Sequence, residues 1–149
     1  MLPEFDIVSD IELFMKVFWV LICATIAGGI LGIERELARR PAGLKTLVFV
    51  TVGSSLFSFF SFELAGFFGG DPMRVASNIA TGIGFLGAGA IVKRGDVIEG
   101  LTTASIIWVC GAIGLAVGAG FYISGILIAL GGLVFLLSLE FIERRFIRK

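Results

Sequence analysis

Long stretches of this sequence contain no charged side chain, and they set its predicted architecture. Residues 17–33, 46–62, 75–92 and 100–139 hold no Asp, Glu, Lys or Arg. A helix needs roughly 20 apolar residues to cross a bilayer, so each of the first three runs predicts one crossing. The fourth run, Gly100 to Leu139, would be about 60 Å long as a single helix, twice the hydrocarbon thickness. It predicts a helical hairpin turning at GAGFYIS, residues 118–124, where glycines and interfacial aromatics coincide. Helices are therefore expected near 13–34, 44–65, 73–93, 101–118 and 122–144. The fold class that follows is an all-α integral membrane protein, a bundle of five transmembrane helices forming a single domain over 1–149.

Composition supports a membrane setting. The chain is 57% hydrophobic and 16% charged, against roughly a quarter charged in soluble domains. Charge placement then orients the bundle. With five crossings, one side receives Arg35, Arg39, Arg40, Lys45, Lys93, Arg94, Arg144, Arg145, Arg148 and Lys149, while the other keeps Arg74. Lys16 is expected to snorkel and pair with Glu12 one turn earlier. Basic residues collect in cytoplasmic loops, which puts the N-terminus outside and the C-terminus in the cytoplasm. The acidic start, MLPEFDIVSDIE, reads as the lead into a retained helix rather than a cleaved signal. Net charge is zero, so nucleic acid is not an expected partner; membrane lipid is. His is absent, and Cys23 and Cys110 sit mid-run as small packing residues.

Gly82, Gly84 and Gly87 match the G-x-G-x-x-G pattern of a dinucleotide-binding turn. That turn must follow a β-strand and open a helix. Here the glycines lie within VASNIATGIGFLGAGAIV, an unbroken apolar segment in which no strand can precede them. Helix geometry gives another account. Gly82 and Gly89 share one face, and Gly84 and Gly87 lie nearly opposite. Small residues let helices approach closely in lipid, so the third helix is expected at the centre of the bundle. Gly28-x-x-x-Gly32 and Gly114-x-x-x-Gly118 are further packing surfaces, and Thr51, Ser54, Ser58 and Ser61 form a hydroxyl stripe on the second helix. A leftover smooth face points to a homo-oligomer, with a dimer the simplest form.

Two polar constellations flank the apolar runs. On the inner side stands ERELARRPAGLKT, residues 34–46. It reads either as an interfacial charge collar or as an ion-pair network able to bind a partner, a head group or a hydrated cation; Glu34, Arg35, Glu36 and Arg40 are its candidates. On the outer side, Asp71 and Pro72 form a helix start. Arg74, Asn78 and Thr81 continue inward on the face of Gly82, as interhelical glue or as the wall of a shallow outward cavity. Thr102 or Thr103 is expected to cap the fourth helix. Glu34, Glu36 and Asp71 are the metal candidates, with Mg²⁺ the ion that carboxylates keeping several waters would suit. No acidic residue falls at mid-membrane, which argues against a high-throughput pump. No nucleophile–base pair, phosphate loop or metal-ligand spacing supports an enzyme.

Five segments occur in one order: Gly32-Ile33-Glu34-Arg35-Glu36, Arg40-Pro41-Ala42-Gly43-Leu44-Lys45-Thr46, Asp71-Pro72-Met73-Arg74, Gly82 to Gly89 as GIGFLGAG, and Gly100-Leu101-Thr102-Thr103-Ala104. Together they resemble the transmembrane domain of the MgtC/SapB family, over roughly residues 20 to 125. The resemblance implies a multi-pass protein of the cell inner (cytoplasmic) membrane, linked to magnesium limitation and, in pathogens, to virulence. It implies a non-enzymatic regulator of magnesium homeostasis and membrane energetics, acting through a membrane complex such as the ATP synthase. The alternative is a transporter or channel for Mg²⁺ or another cation. Many family members continue into a cytoplasmic ACT-like domain. These 149 residues are expected to hold none, so regulation by that domain does not carry over.

Overall fold

The computed structural model of the protein describes residues 7–147. The acidic N-terminal residues up to Asp6, and Arg148 and Lys149 from the basic count, lie outside that range. Five α-helices follow one another: α1 (Ile7–Leu37), α2 (Leu44–Phe68), α3 (Met73–Gly89), α4 (Leu101–Gly118) and α5 (Tyr122–Ile142). A π-helical turn, Glu143–Ile147, extends α5. Between α3 and α4 stands a two-stranded antiparallel hairpin, β1 (Val92–Arg94) and β2 (Val97–Glu99), with Lys93 opposite Ile98.

Among the described residues four helices are long and apolar enough to cross a membrane, within Asp10–Leu37, Leu44–Phe68, Leu101–Gly118 and Tyr122–Phe146. The remaining one, α3, has 17 residues, or about 25 Å of helix. Contacts between the ends show that the helices alternate in direction. Lys16 near the start of α1 meets Glu63 near the end of α2, Gly87 of α3 lies beside Ala104 of α4, and Arg40 after α1 reaches Glu140 near the end of α5.

The central helix is α4, which touches α1, α2, α3 and α5. Its Ile107, Cys110, Ile113 and Val117 are buried against Ala24, Ala27 and Leu31 of α1, Leu47 of α2 and Ala129 of α5. Glycine makes this closeness feasible. A Cβ at Gly114 would collide with the carbonyl of Thr51, and one at Gly118 with that of Ser55. Gly28 and Gly32 bring α1 onto α2 in the same way, with Leu47, Val48 and Leu44 backbone atoms 2.8–2.9 Å from where a Cβ would stand. The α2 hydroxyls fill this seam. Thr51 donates to the Leu47 carbonyl at 2.8 Å and Ser54 to that of Val50 at 2.8 Å, and Ser58 donates across to the Leu115 carbonyl at 2.9 Å. No hydroxyl in this seam goes unbonded, as a lipid setting requires.

Three expectations need correction. The third helix is peripheral rather than central: only Ile79, Ile83 and Gly87 of α3 are buried. A Cβ at Gly82, Gly84 or Gly89 would meet nothing within 4 Å, while one at Gly87 would stand 3.4 Å from the Ala104 carbonyl. Smooth faces permit close packing but do not select it, and α4 supplies the better-placed glycines. Second, α3 stops at Gly89 instead of reaching Lys93, and the chain is not purely helical. Gly95 (φ 60°) turns the hairpin, whose β-branched Val92, Val97 and Ile98 suit strands. Gly100 (φ 90°) closes its base so tightly on the Ala90 carbonyl that no side chain fits. Third, Lys16 forms its ion pair with Glu63, at 2.9 Å, rather than with Glu12.

The packing seam predicts unequal glycines. Gly114→Leu should destabilise the folded protein by about 1–3 kcal/mol through overpacking, whereas Gly84→Ala should be neutral or stabilising by up to ~1 kcal/mol. Thermal unfolding in detergent, followed by helical circular dichroism, checks the contrast.

Candidate functional site

Polar chemistry gathers at the two ends of the bundle. At the basic end, α1 closes with Glu34, Arg35 and Glu36, and the chain then reverses. Arg39 adopts a left-handed backbone (φ 54°), its N–H bonds the Glu36 carbonyl at 3.0 Å, and the N–H of Arg40 bonds that of Arg35 at 3.0 Å. This is a Schellman turn with Arg where Gly is usual. It swings the chain back so that Glu36 Oε2 accepts the N–H of Leu44 at 3.0 Å, capping α2. The Glu36 carboxylate occupies the space a side chain at Gly43 would need. A carboxylate at a helix N-terminus satisfies free N–H groups and favours the helix dipole.

Arg35 points the other way, into the bundle. It is only 3% exposed, and its Nη2 donates to Thr103 Oγ1 on α4 at 3.2 Å. Its Nε has no partner, and neither does the buried Oε2 of Glu34. Among the described residues Arg35 forms no ion pair, although Glu34, Arg40 and Glu140 are close enough for their charges to act on it. Glu140 of α5 instead holds Arg40 at 3.5 Å and Arg144 at 3.6 Å. Thr102 is exposed. Neither threonine caps α4, since Gly100 occupies the N-cap position and Thr103 is committed to Arg35.

At the opposite end, Asp71 Oδ1 accepts the N–H of Met73 at 2.8 Å and so starts α3. Asp71, Arg74 and Asn78, with Met73 and Ser77, line a shallow open cleft of about 360 Å³. Arg74, Asn78 and Thr81 are exposed, and Thr81 bonds back to the Ser77 carbonyl at 3.1 Å. Asn78 also borders an apolar cleft of about 290 Å³ between α2 and α3, together with Ser54 and Gly82. Among the described residues the polar stripe of α3, Arg74, Asn78 and Thr81, thus walls clefts and bonds no neighbouring helix.

The inner candidates share one end of the bundle but part company there: Arg35 bonds Thr103, Glu36 caps α2 and Arg40 reaches Glu140, while the buried Oε2 of Glu34 has no partner. Asp71, Arg74 and Asn78 form a separate group at the far end. Among the described residues no set of three or more His, Cys, Asp or Glu could hold a metal ion. Sequence reasoning missed Glu140, which bridges two arginines, and Glu63. Each is an acid bordering a charge-free run, on the side where unpaired basic residues emerge, and that sign match was the available signal.

Alternating apolar helices, charge confined to the ends and a glycine-tight seam define a small multi-pass helical membrane protein. The MgtC family model matches residues 21–145, and the chain belongs to that family. It is 42% identical over 127 residues to Protein SapB of Bacillus subtilis strain 168, covering 80% of this chain and 53% of that protein. It is 44% identical over 126 residues to a protein of Escherichia coli K12 named putative magnesium transporter YhiD, covering 80% and 57%. Protein MgtC of Brucella abortus strain 2308 is 45% identical over 97 residues, covering 65% and 40%. The chain spans about half the length of the curated relatives it matches. No solved structure matches it.

The Arg35–Thr103 bond gives a testable asymmetry. Thr103→Val should cost roughly 1–3 kcal/mol, because the buried guanidinium then loses its acceptor. Adding Arg35→Met should restore much of that loss, since a buried charge replaced by an apolar chain is often neutral or favourable. A double-mutant cycle by thermal unfolding in detergent measures both.

Proposed function

We propose that this chain is a non-enzymatic regulator in the cell inner membrane, modulating magnesium homeostasis and adaptation to low magnesium through contact with other membrane helices. In this reading all five helices cross the bilayer, with the N-terminus outside and the C-terminus in the cytoplasm. The alternating directions and the basic residues gathered at one end support that orientation. The magnesium link draws on family membership and on the names its relatives carry.

The observation that carries contact over conduction is the outward face of α3. Arg74, Asn78, Thr81, Gly82, Phe85 and Gly89 all lie exposed along it, and Phe85 is 80% exposed. Polar groups on a membrane helix cost free energy unless they find partners, and the glycines leave room for a backbone to approach. A second copy of this chain is the simplest occupant, and a membrane complex such as the ATP synthase the larger one. Meanwhile the axis of the bundle is filled by α4, whose Ile107, Cys110, Ile113 and Val117 are buried in apolar contact.

Direct passage of Mg²⁺ or another cation is the second reading. It is favoured by the transporter name given to one relative and by the open cleft at Asp71, Arg74 and Asn78. Proteoliposomes separate the two. The regulator reading expects Mg²⁺ entry no faster than in empty vesicles. Flux well above that background, abolished by Glu34→Gln or Asp71→Asn, overturns it. Gly82→Leu should leave the fold intact, because nothing lies within 4 Å of a Cβ there, yet should reduce self-association about tenfold or more in membrane cross-linking. Unchanged association excludes this face of α3 as the contact.

A further inference from the structure

A groove of about 530 Å³ runs between α4 and α5, with Leu31 of α1 at its base. Ile106, Val109, Gly131, Leu136 and Leu139 are among the side chains that line it, and every lining residue is apolar. On α5 the lining extends from Ile128 to Leu139, about 17 Å of helix. That is close to half of a ~30 Å hydrocarbon core, the depth of a single leaflet.

Toward the basic end the lining changes character on all three helices at once. One turn beyond Leu31 is Arg35, one turn beyond Ile106 is Thr103, and one turn beyond Leu136 is Glu140. Residues three or four apart share a helix face, so these three residues stand one turn past the apolar lining, on the faces that carry it. Arg35 supplies the unusual feature there. Its guanidinium is almost wholly buried, is neutralised by no ion pair among the described residues, and leaves Nε without an acceptor. Glu140 is the carboxylate on the facing wall, and it is engaged by Arg40 and Arg144. Arg35, Arg40 and Arg144 gather here with Glu34 and Glu140, while Glu36 is held at the start of α2. A buried guanidinium left with spare donors is matched by a planar or tetrahedral oxyanion, above all carboxylate or phosphate.

We propose that this groove binds an anionic phospholipid, with one acyl chain along the α4–α5 wall and the phosphate at Arg35. Arg40 is the second donor. Both arginine contacts of Glu140 are long for ion pairs, 3.5 Å to Arg40 and 3.6 Å to Arg144; Arg144 sits one turn along the same helix, so the phosphate takes Arg40 while Glu140 keeps its helical neighbour. The apolar length of the groove favours a tethered phosphate over a free one, because an inorganic anion has no use for 17 Å of hydrocarbon lining.

Native mass spectrometry of the intact 149-residue protein in detergent tests this. The probes are palmitoyl-oleoyl phosphatidylglycerol, diacylglycerol with the same chains, and inorganic phosphate. Phosphatidylglycerol should remain bound, and diacylglycerol should bind at least about tenfold more weakly. Arg35→Gln should weaken phosphatidylglycerol about tenfold or more. Gly131→Leu should abolish retention while leaving the helical spectrum unchanged, because a Cβ at Gly131 meets nothing within 4 Å and the longer side chain fills the groove. If Arg35→Gln does not fold, Gly131→Leu decides alone. Two folded variants that retain the lipid as the parent does would overturn the proposal. So would inorganic phosphate that displaces the lipid and binds Gly131→Leu undiminished, since the ligand would then be the free anion.

Discussion

Backbone-to-backbone approach between α2 and α4 is the constraint on which this structure rests. Helices surrounded by hydrocarbon gain little from hiding apolar side chains from one another, since lipid tails are equally apolar. What remains is close packing and the satisfaction of every polar group. Gly114 and Gly118 set α4 directly against the carbonyls of Thr51 and Ser55, and the α2 hydroxyls return their protons to nearby carbonyls. Gly28 and Gly32 repeat the arrangement between α1 and α2. With three helices locked in this way, α5 closes over α1 and α4 and α3 leans on α4. Their looser fit follows from the same rule, because fewer glycines bring them to a neighbour's backbone.

Charge follows a second logic. Ion pairs knit the ends: Lys16 with Glu63 at one, and Arg40, Glu140 and Arg144 at the other. Such pairs are partly exposed and individually weak, so their value lies in fixing which helix ends lie together. Glu36 and Asp71 are spent on helix starts. Arg35 breaks the pattern, a guanidinium carried inward and met by one threonine hydroxyl, and its neighbour Glu34 keeps a buried Oε2 without a partner.

Much of this was legible in the chain. Charge-free runs give helices in an alternating bundle, because exclusion of charge from hydrocarbon is severe enough to outweigh local propensity. Small residues at four-residue spacing on the first and fourth helices marked surfaces that do meet a neighbour. The GIGFLGAG run misled because it is the richest glycine stretch, and richness says nothing about which face another helix takes. A charge-free run reads as helix to its end, which carries the expected third helix up to Lys93 at its edge, whereas Gly95 and the β-branched residues around it form a hairpin. The Arg35–Thr103 bond, across 68 positions, was out of reach. Both residues were candidates, but nothing local relates an arginine at the end of one helix to the first turn of another.

Glycines of positive φ stand at both margins of α3: Gly69 (73°) and Gly70 (118°) before it, Gly95 (60°) and Gly100 (90°) after it. The α1–α2 connection has no such freedom, for Arg39 is pinned by two backbone bonds and Glu36 clamps the next helix. The molecule is therefore unevenly built: three helices are seated backbone to backbone, while α3 is strung between glycine turns and held mainly through α4.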